Sequence, residues 1–90
     1  MPGIDVRNMP LTVLGESTRD HVNIAFSSPY AMSCKLAIYD IMGREVHEQI
    51  LNTRGGYETC SITGLSLSPG MYFLKMGNEL KYGATKVIIP

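Results

Sequence analysis

The sequence predicts an all-β protein, an antiparallel β-sandwich of about seven short strands. Apolar and polar residues alternate with a period of two through much of the chain, which is typical of strands that bury one face. Turn-forming residues recur at intervals of roughly eight to twelve residues, the spacing found in all-β domains. Ninety residues, 44% of them hydrophobic, suffice for one compact domain and are too few for two.

The first strands show the clearest alternation. In residues 22–26 and 34–38, large apolar side chains at every second position alternate with polar or small ones. Residues 11–14 are a weaker candidate for an opening strand. We therefore assign residues 1–20 to a linker that includes this weak strand, and residues 21–90 to the sandwich.

Residues 44–54, which include the weaker strand candidate at residues 44–51, allow two interpretations. Val46, Ile50 and Leu51 fit the apolar stripe of a helix as well as a strand. A helix of about eleven residues without a good cap or a full apolar face would be marginal. We therefore predict a strand here, and we find no convincing helix elsewhere in the chain.

The second half of the chain contains three more candidate strands. Residues 57–62 and 71–76 alternate as the earlier strands do, and the last run, residues 86–89, is short and rich in β-branched side chains. Met71 and Met76 lie inside the second of these strands, so we expect both to fill the core.

Five residues specify the turns. Asp40 suits the first position of a type I turn, and Gly43 suits the left-handed conformation that starts the next strand. Pro69 and Gly70 suit the centre of a type II turn, because proline fixes φ and glycine tolerates a positive φ. Gly77 with the residue after it fits a two-residue type II′ hairpin. Short antiparallel strands joined in this way favour an immunoglobulin-like sandwich.

Charge and cysteine content exclude several classes of protein. Eight basic and eight acidic residues leave no net charge, whereas a nucleic-acid-binding protein needs a basic surplus. No apolar run approaches the length of a membrane-spanning helix. Cys34 and Cys60 are too few for the disulfide framework of a small secreted domain. We expect two buried or half-buried thiols, and the sequence leaves a single disulfide open.

No combination of residues assembles a catalytic, metal or cofactor site. His21 and His47 are isolated on outward positions of predicted strands, where a solvated role is expected. Glu45 and Glu48 would lie on opposite faces of a strand, which indicates charge decoration of a sheet edge. The residues predict a binding or structural module that is not an enzyme and has no cofactor, small-molecule substrate or nucleic-acid partner.

The charged residues at the end of the chain are all basic. From Leu80 to Pro90 there are two lysines, Lys81 and Lys86, and no acidic residue. An ordinary last strand explains this pattern, since a lysine at a sheet edge prevents aggregation. A strand that another protein adds to its own sheet explains it as well. The residues alone favour the ordinary strand and leave the second interpretation open.

Four segments together resemble one known family. Residues 35–46 are similar to the L-x-I-Y-D-x-x-G-R-x-V stretch in the C-terminal sorting domain of type IX secretion cargo in Bacteroidetes. Residues 67–75 resemble its L-x-x-G-x-Y-x-x-K segment. Residues 56–57 resemble the start of the strand between these motifs, and residues 85–90 resemble its lysine-plus-apolar ending. The segments follow in the family's order, and the resemblance extends over about residues 21–90.

The resemblance implies an immunoglobulin-like sandwich at the end of a larger exported protein, in the periplasm during transit and then at the outer-membrane surface or extracellular. It implies the type IX translocon and shuttle proteins as partners and, in many members, a cell-surface sortase. The family's aromatic-Pro-Asn-Pro opening is absent from residues 11–18. The residues that the resemblance assigns to recognition by the translocon or shuttle are Gly70, Tyr72, Lys86, Val87, Ile88 and Ile89.

A plain structural role is the competing hypothesis. A similar hairpin and G-x-Y pattern occurs in immunoglobulin-like accessory domains, including the flagellar hook-cap type, that space or assemble other domains. The two hypotheses differ in placement, since a sorting domain ends the polypeptide and a spacer is followed by more chain.

Overall fold

A computed structural model describes residues 9–78 and 82–90 of the chain. These residues form seven strands and no helix, which confirms the all-β prediction and the strand predicted for residues 44–51. The strands are β1 (Leu11–Leu14), β2 (Val22–Ser28), β3 (Ser33–Tyr39), β4 (Glu45–Asn52), β5 (Gly56–Ile62), β6 (Gly70–Gly77) and β7 (Tyr82–Ile89). In this part of the chain there is no helix that could cross a membrane.

Two antiparallel sheets form the layers of an immunoglobulin-like sandwich. The smaller sheet has three strands in the order β1-β2-β5, and the larger has four in the order β4-β3-β6-β7. The chain changes sheet after β2, after β4 and after β5, so the two layers are held together by covalent connections as well as by packing.

The core lies between the sheets and follows the period-two pattern. Successive side chains of a strand face opposite sides of the sheet. Every second residue of β6 therefore points inward, and so do most of the alternate residues of β2, β3 and β7. Met76 is buried as predicted, whereas Met71 is 39% exposed on the other face, so the core position predicted for Met71 is wrong. The largest fully buried side chains include Met9, Ile24, Leu36, Ile38, Ile62, Leu74, Met76 and Ile89.

The segment before the second strand belongs to the compact body. β1 pairs along its whole length with β2. Met9 is buried in the core and donates its backbone N–H to the carbonyl of Tyr82 at 2.8 Å. This segment therefore connects the smaller sheet to β7 of the larger one, although it lies in the stretch that the sequence assigns to a linker.

β4 is an edge strand, as its charges predict, but a bulge changes which of its side chains share a face. The register between β3 and β4 shifts after Ile38, which leaves Val46 as an extra residue. The shift brings Glu45 and Glu48 together, 3.2 and 3.3 Å from the Nζ atom of Lys35. The expectation that the two glutamates lie on opposite faces is wrong for this reason.

Candidate docking site at the C-terminal strand

β7 is the edge strand next to β6, and its end alternates between the core and solvent. It begins at Tyr82, four residues earlier than predicted from the apolar run. Val87 and Ile89 are both only 2% exposed, whereas Lys86 and Ile88 face solvent. Of the four consecutive residues assigned to recognition, Lys86 and Ile88 are therefore the two whose side chains a partner can touch.

The backbone of β7 has an edge that points away from β6. The carbonyl of Tyr82 accepts the N–H of Met9, so it is directed to this edge. Backbone polar groups of a strand alternate in direction with the same period of two as the side chains. The N–H and C=O groups of Lys86 and Ile88 therefore point to the same edge. A cleft of about 370 Å³ borders it, between the end of β7 and the end of β1 with the loop that follows.

The side chain of Tyr72 lies on the core face of β6. Its side chain is 8% exposed, and its hydroxyl donates a hydrogen bond to the carbonyl of Ser68 at 2.7 Å. The bond ties the loop before β6 to the strand itself. The ring of Tyr72 is therefore not available to a docking partner.

Gly70 is the first residue of β6 and pairs with Ile89 of β7. Its φ of 150° is positive, in a region that favours glycine. The value is far from the roughly +80° of the third position of a type II turn. Pro69 and Gly70 thus do not form the predicted type II turn, because Gly70 already belongs to the β6–β7 ladder.

The hairpin between β6 and β7 also differs from the prediction. Gly77 ends β6 and pairs with Tyr82, so it is not the first residue of a two-residue turn, and residues 79–81 lie outside the described residues. A two-residue turn at this position would pair residues 86–89 with residues 66–69, before β6 begins. The longer connection instead lets the whole apolar end of β7 pair with β6.

The hairpin between β3 and β4 lies at the same end of the sheet as the end of β7. Asp40 Oδ1 accepts the backbone N–H groups of Met42 and Arg44, and Oδ2 accepts Arg44 Nε, all at 2.9 Å. The backbone N–H of Arg44, with smaller contributions from its guanidinium and from Met42, holds the pKa of Asp40 below its usual value. Gly43 has a φ of 83° and donates its N–H to the Asp40 carbonyl, which closes the reversal.

The remaining titratable groups form no metal-binding cluster among residues 9–78 and 82–90. Cys34 is a buried free thiol and Cys60 a half-buried one. Desolvation, and secondarily the charge of Glu58, raises the pKa of both thiols. Both are therefore mainly protonated at neutral pH, the less reactive form of cysteine.

Sequence reasoning missed a second group of residues beside the end of β7. On the outward face of β6 lie Met71, Phe73 and Lys75, and Phe73 is directly opposite Lys86. The alternation of β6 contained the signal, because it places these three residues on the face away from the core. A phenylalanine at an outward position is the feature that could have identified them.

The comparison with known families agrees with this architecture. Residues 18–90 match the family described as the secretion system C-terminal sorting domain, which includes every strand from β2 to β7. No curated protein matches the chain. Domains of this family are signals that send an exported protein to the cell surface or the extracellular space. The chain therefore belongs to the family of C-terminal sorting domains of type IX secretion.

Proposed function

We propose that the type IX translocon and its shuttle proteins recognise the folded sandwich at the end of β7. This recognition takes a cargo protein from the periplasm to the outer-membrane surface or the extracellular space, where a sortase is a further proposed partner. The observation that carries the proposal is the position of Lys86 and Ile88. Their side chains face solvent, and their backbone groups point to the outer edge of the sheet.

Strand addition is the mode of recognition that this arrangement supports. An extended segment of the partner forms main-chain hydrogen bonds along the edge of β7, which supply affinity, while Lys86 and Ile88 supply specificity. Met9 already occupies the edge at Tyr82. The added segment therefore pairs with the second half of β7, where the cleft beside β1 leaves space for it.

The buried residues of the motif act through folding. Val87 and Ile89 anchor β7 in the core, and Tyr72 fastens the loop before β6. Gly70 starts the ladder that holds the end of β7 in register. In this proposal these four residues present Lys86 and Ile88 correctly and do not touch the partner themselves.

Substitutions of the neighbouring residues Ile88 and Ile89 distinguish a loss of recognition from a loss of folding. Ile88→Ala should change the free energy of unfolding by less than about 1 kcal/mol, because the side chain is 55% exposed. Ile89→Ala should lower it by about 2–4 kcal/mol, because it leaves a cavity in the core. Urea denaturation measures both values.

Export of a periplasm-directed reporter fused to the start of the chain tests recognition in a bacterium with a type IX system. Lys86→Ala combined with Ile88→Ala should leave most of the reporter in the periplasm while the domain remains folded. Normal surface or extracellular delivery of this folded double variant contradicts the proposal and favours a structural module.

A further inference from the structure

The outward face of the four-stranded sheet has two halves that differ in charge. On β3 and β4, Lys35 is neutralised by Glu45 and Glu48. On β6 and β7, Lys75 and Lys86 make no ion pair with any residue in the described part of the chain. Glu45 and Glu48 are engaged by Lys35, so they leave the positive charge of the second half available to a partner.

The same half exposes large apolar side chains. Phe73 is 45% exposed and Ile88 55% exposed, although both belong to paired strands. Met71 lies opposite Ile88, and Phe73 lies opposite Lys86. We call this surface the β6–β7 patch, defined as Met71, Phe73, Lys75, Lys86 and Ile88.

We propose that the β6–β7 patch is the docking surface for a protein segment of the secretion machinery that is apolar at its centre and carries carboxylates beside the apolar part. Apolar side chains of the segment pack on Phe73 and Ile88, and its carboxylates meet Lys75 and Lys86. The proposal rests on the proposed function. It extends the proposed contact surface from the end of β7 to the outward face of β6, and it specifies the chemistry of the partner.

One of the two lysines is already held in place for such a contact. The Nζ atom of Lys75 lies 4.8 Å from the centre of the Tyr82 ring, a cation–π arrangement that orders the side chain. An ordered cation loses less conformational entropy when a carboxylate binds it. Lys86 lies diagonally across from Lys75 in the ladder, so two carboxylates near each other on one segment reach both.

The charges favour a protein over an anionic membrane and over a second copy. The chain has no net charge, and Glu45 and Glu48 on the other half of the same face would repel anionic headgroups. Two copies that met patch to patch would bring lysines against lysines, which is unfavourable. A segment with acidic side chains avoids both problems.

Export of the reporter fusion tests the patch with matched controls. Lys75→Glu and Phe73→Ser should each lower the surface or extracellular fraction by roughly tenfold, because interfaces are sensitive to reversed charges and to lost aromatic anchors. Arg19→Glu reverses one exposed charge outside the patch, and Tyr57→Ser removes an aromatic side chain that is 72% exposed on β5. Both controls should leave export at the wild-type level.

Thermal unfolding of each purified variant shows whether the domain still folds. If Phe73→Ser fails to fold, the export of Lys75→Glu tests the docking surface instead. The side chain of Lys75 is exposed and supports no core contact, so this variant is expected to fold. Normal export of folded Lys75→Glu overturns the docking surface while the proposed function stands. Failure of the wild-type fusion to be exported at all overturns the proposed function itself.

Two binding measurements on the wild-type chain exclude the other occupants. We expect no co-sedimentation with vesicles of phosphatidylcholine and phosphatidylglycerol, and a monomer in sedimentation velocity. Vesicle binding that Lys75→Glu abolishes would instead identify a membrane surface. A dimer that Phe73→Ser dissociates would identify a second copy as the occupant, and either result overturns the proposal.

Discussion

Gly83, near the start of β7, is a residue at which backbone approaches too closely for a side chain. A Cβ atom there would overlap the backbone carbonyl oxygen of Met9 and lie 3.1 Å from the Cβ of Leu11. Neither atom is the end of a flexible side chain, so neither moves without a shift of the chain that carries it. Glycine at position 83 is what allows the segment before β1 to reach the edge of β7.

Gly83→Ala should therefore lower the free energy of unfolding by about 1–3 kcal/mol, the usual cost of overpacking a tight contact. Urea denaturation measures the change. Ala84→Ser, at the exposed neighbouring position of the same strand, is the control and should stay within about 0.5 kcal/mol of the wild type. An unchanged stability of Gly83→Ala would show that Met9 and β7 are not in close contact.

At the scale of strands and hairpins, the period-two pattern predicts β2, β3, β5 and β6, and the weaker candidates at residues 11–14, 44–51 and 86–89 are strands as well. The pattern did not predict the bulge at Val46 or the register of β6 with β7. These features depend on the neighbouring strand, which a local pattern does not encode. The sequence also left the site incomplete. The resemblance assigns residues 86–89 to recognition as one group, whereas the pairing of β7 in the sheet shows that Lys86 and Ile88 are exposed and that their neighbours are buried.

The hairpin closed by Asp40 makes stability depend on pH. The pKa of Asp40 is lowered from its ordinary value of 3.8, mainly by the backbone N–H of Arg44. A lowered pKa in the folded state means that the ionised carboxylate stabilises the fold above the ordinary value, and that this contribution disappears as pH falls through the lowered pKa. The difference in unfolding free energy between the wild type and Asp40→Asn should therefore be larger at pH 6 than near pH 2. Denaturation at both pH values measures it, and an equal difference would contradict this role of the carboxylate.

At the scale of the whole molecule, the folded sandwich includes residues that precede the segment matched by the family. The match begins at residue 18, whereas Met9 and β1 lie before it and complete the structure. Without β1 the smaller sheet would consist of β2 and β5 alone. A two-stranded sheet covers less of the core than a three-stranded one, so the first described residues contribute to a fold on which the presentation of β7 depends.

A chain that begins at residue 15 tests this dependence. It lacks Met9, which is 1% exposed, and all of β1, so its free energy of unfolding should fall by at least about 3 kcal/mol. A chain that begins at residue 9 keeps both and is the matched control. Because recognition is proposed for the folded sandwich, the shorter chain should also lose export of the reporter, although its residues 86–90 are intact. Full export by a shorter chain that no longer unfolds cooperatively would show that the terminal strand is read as a linear signal.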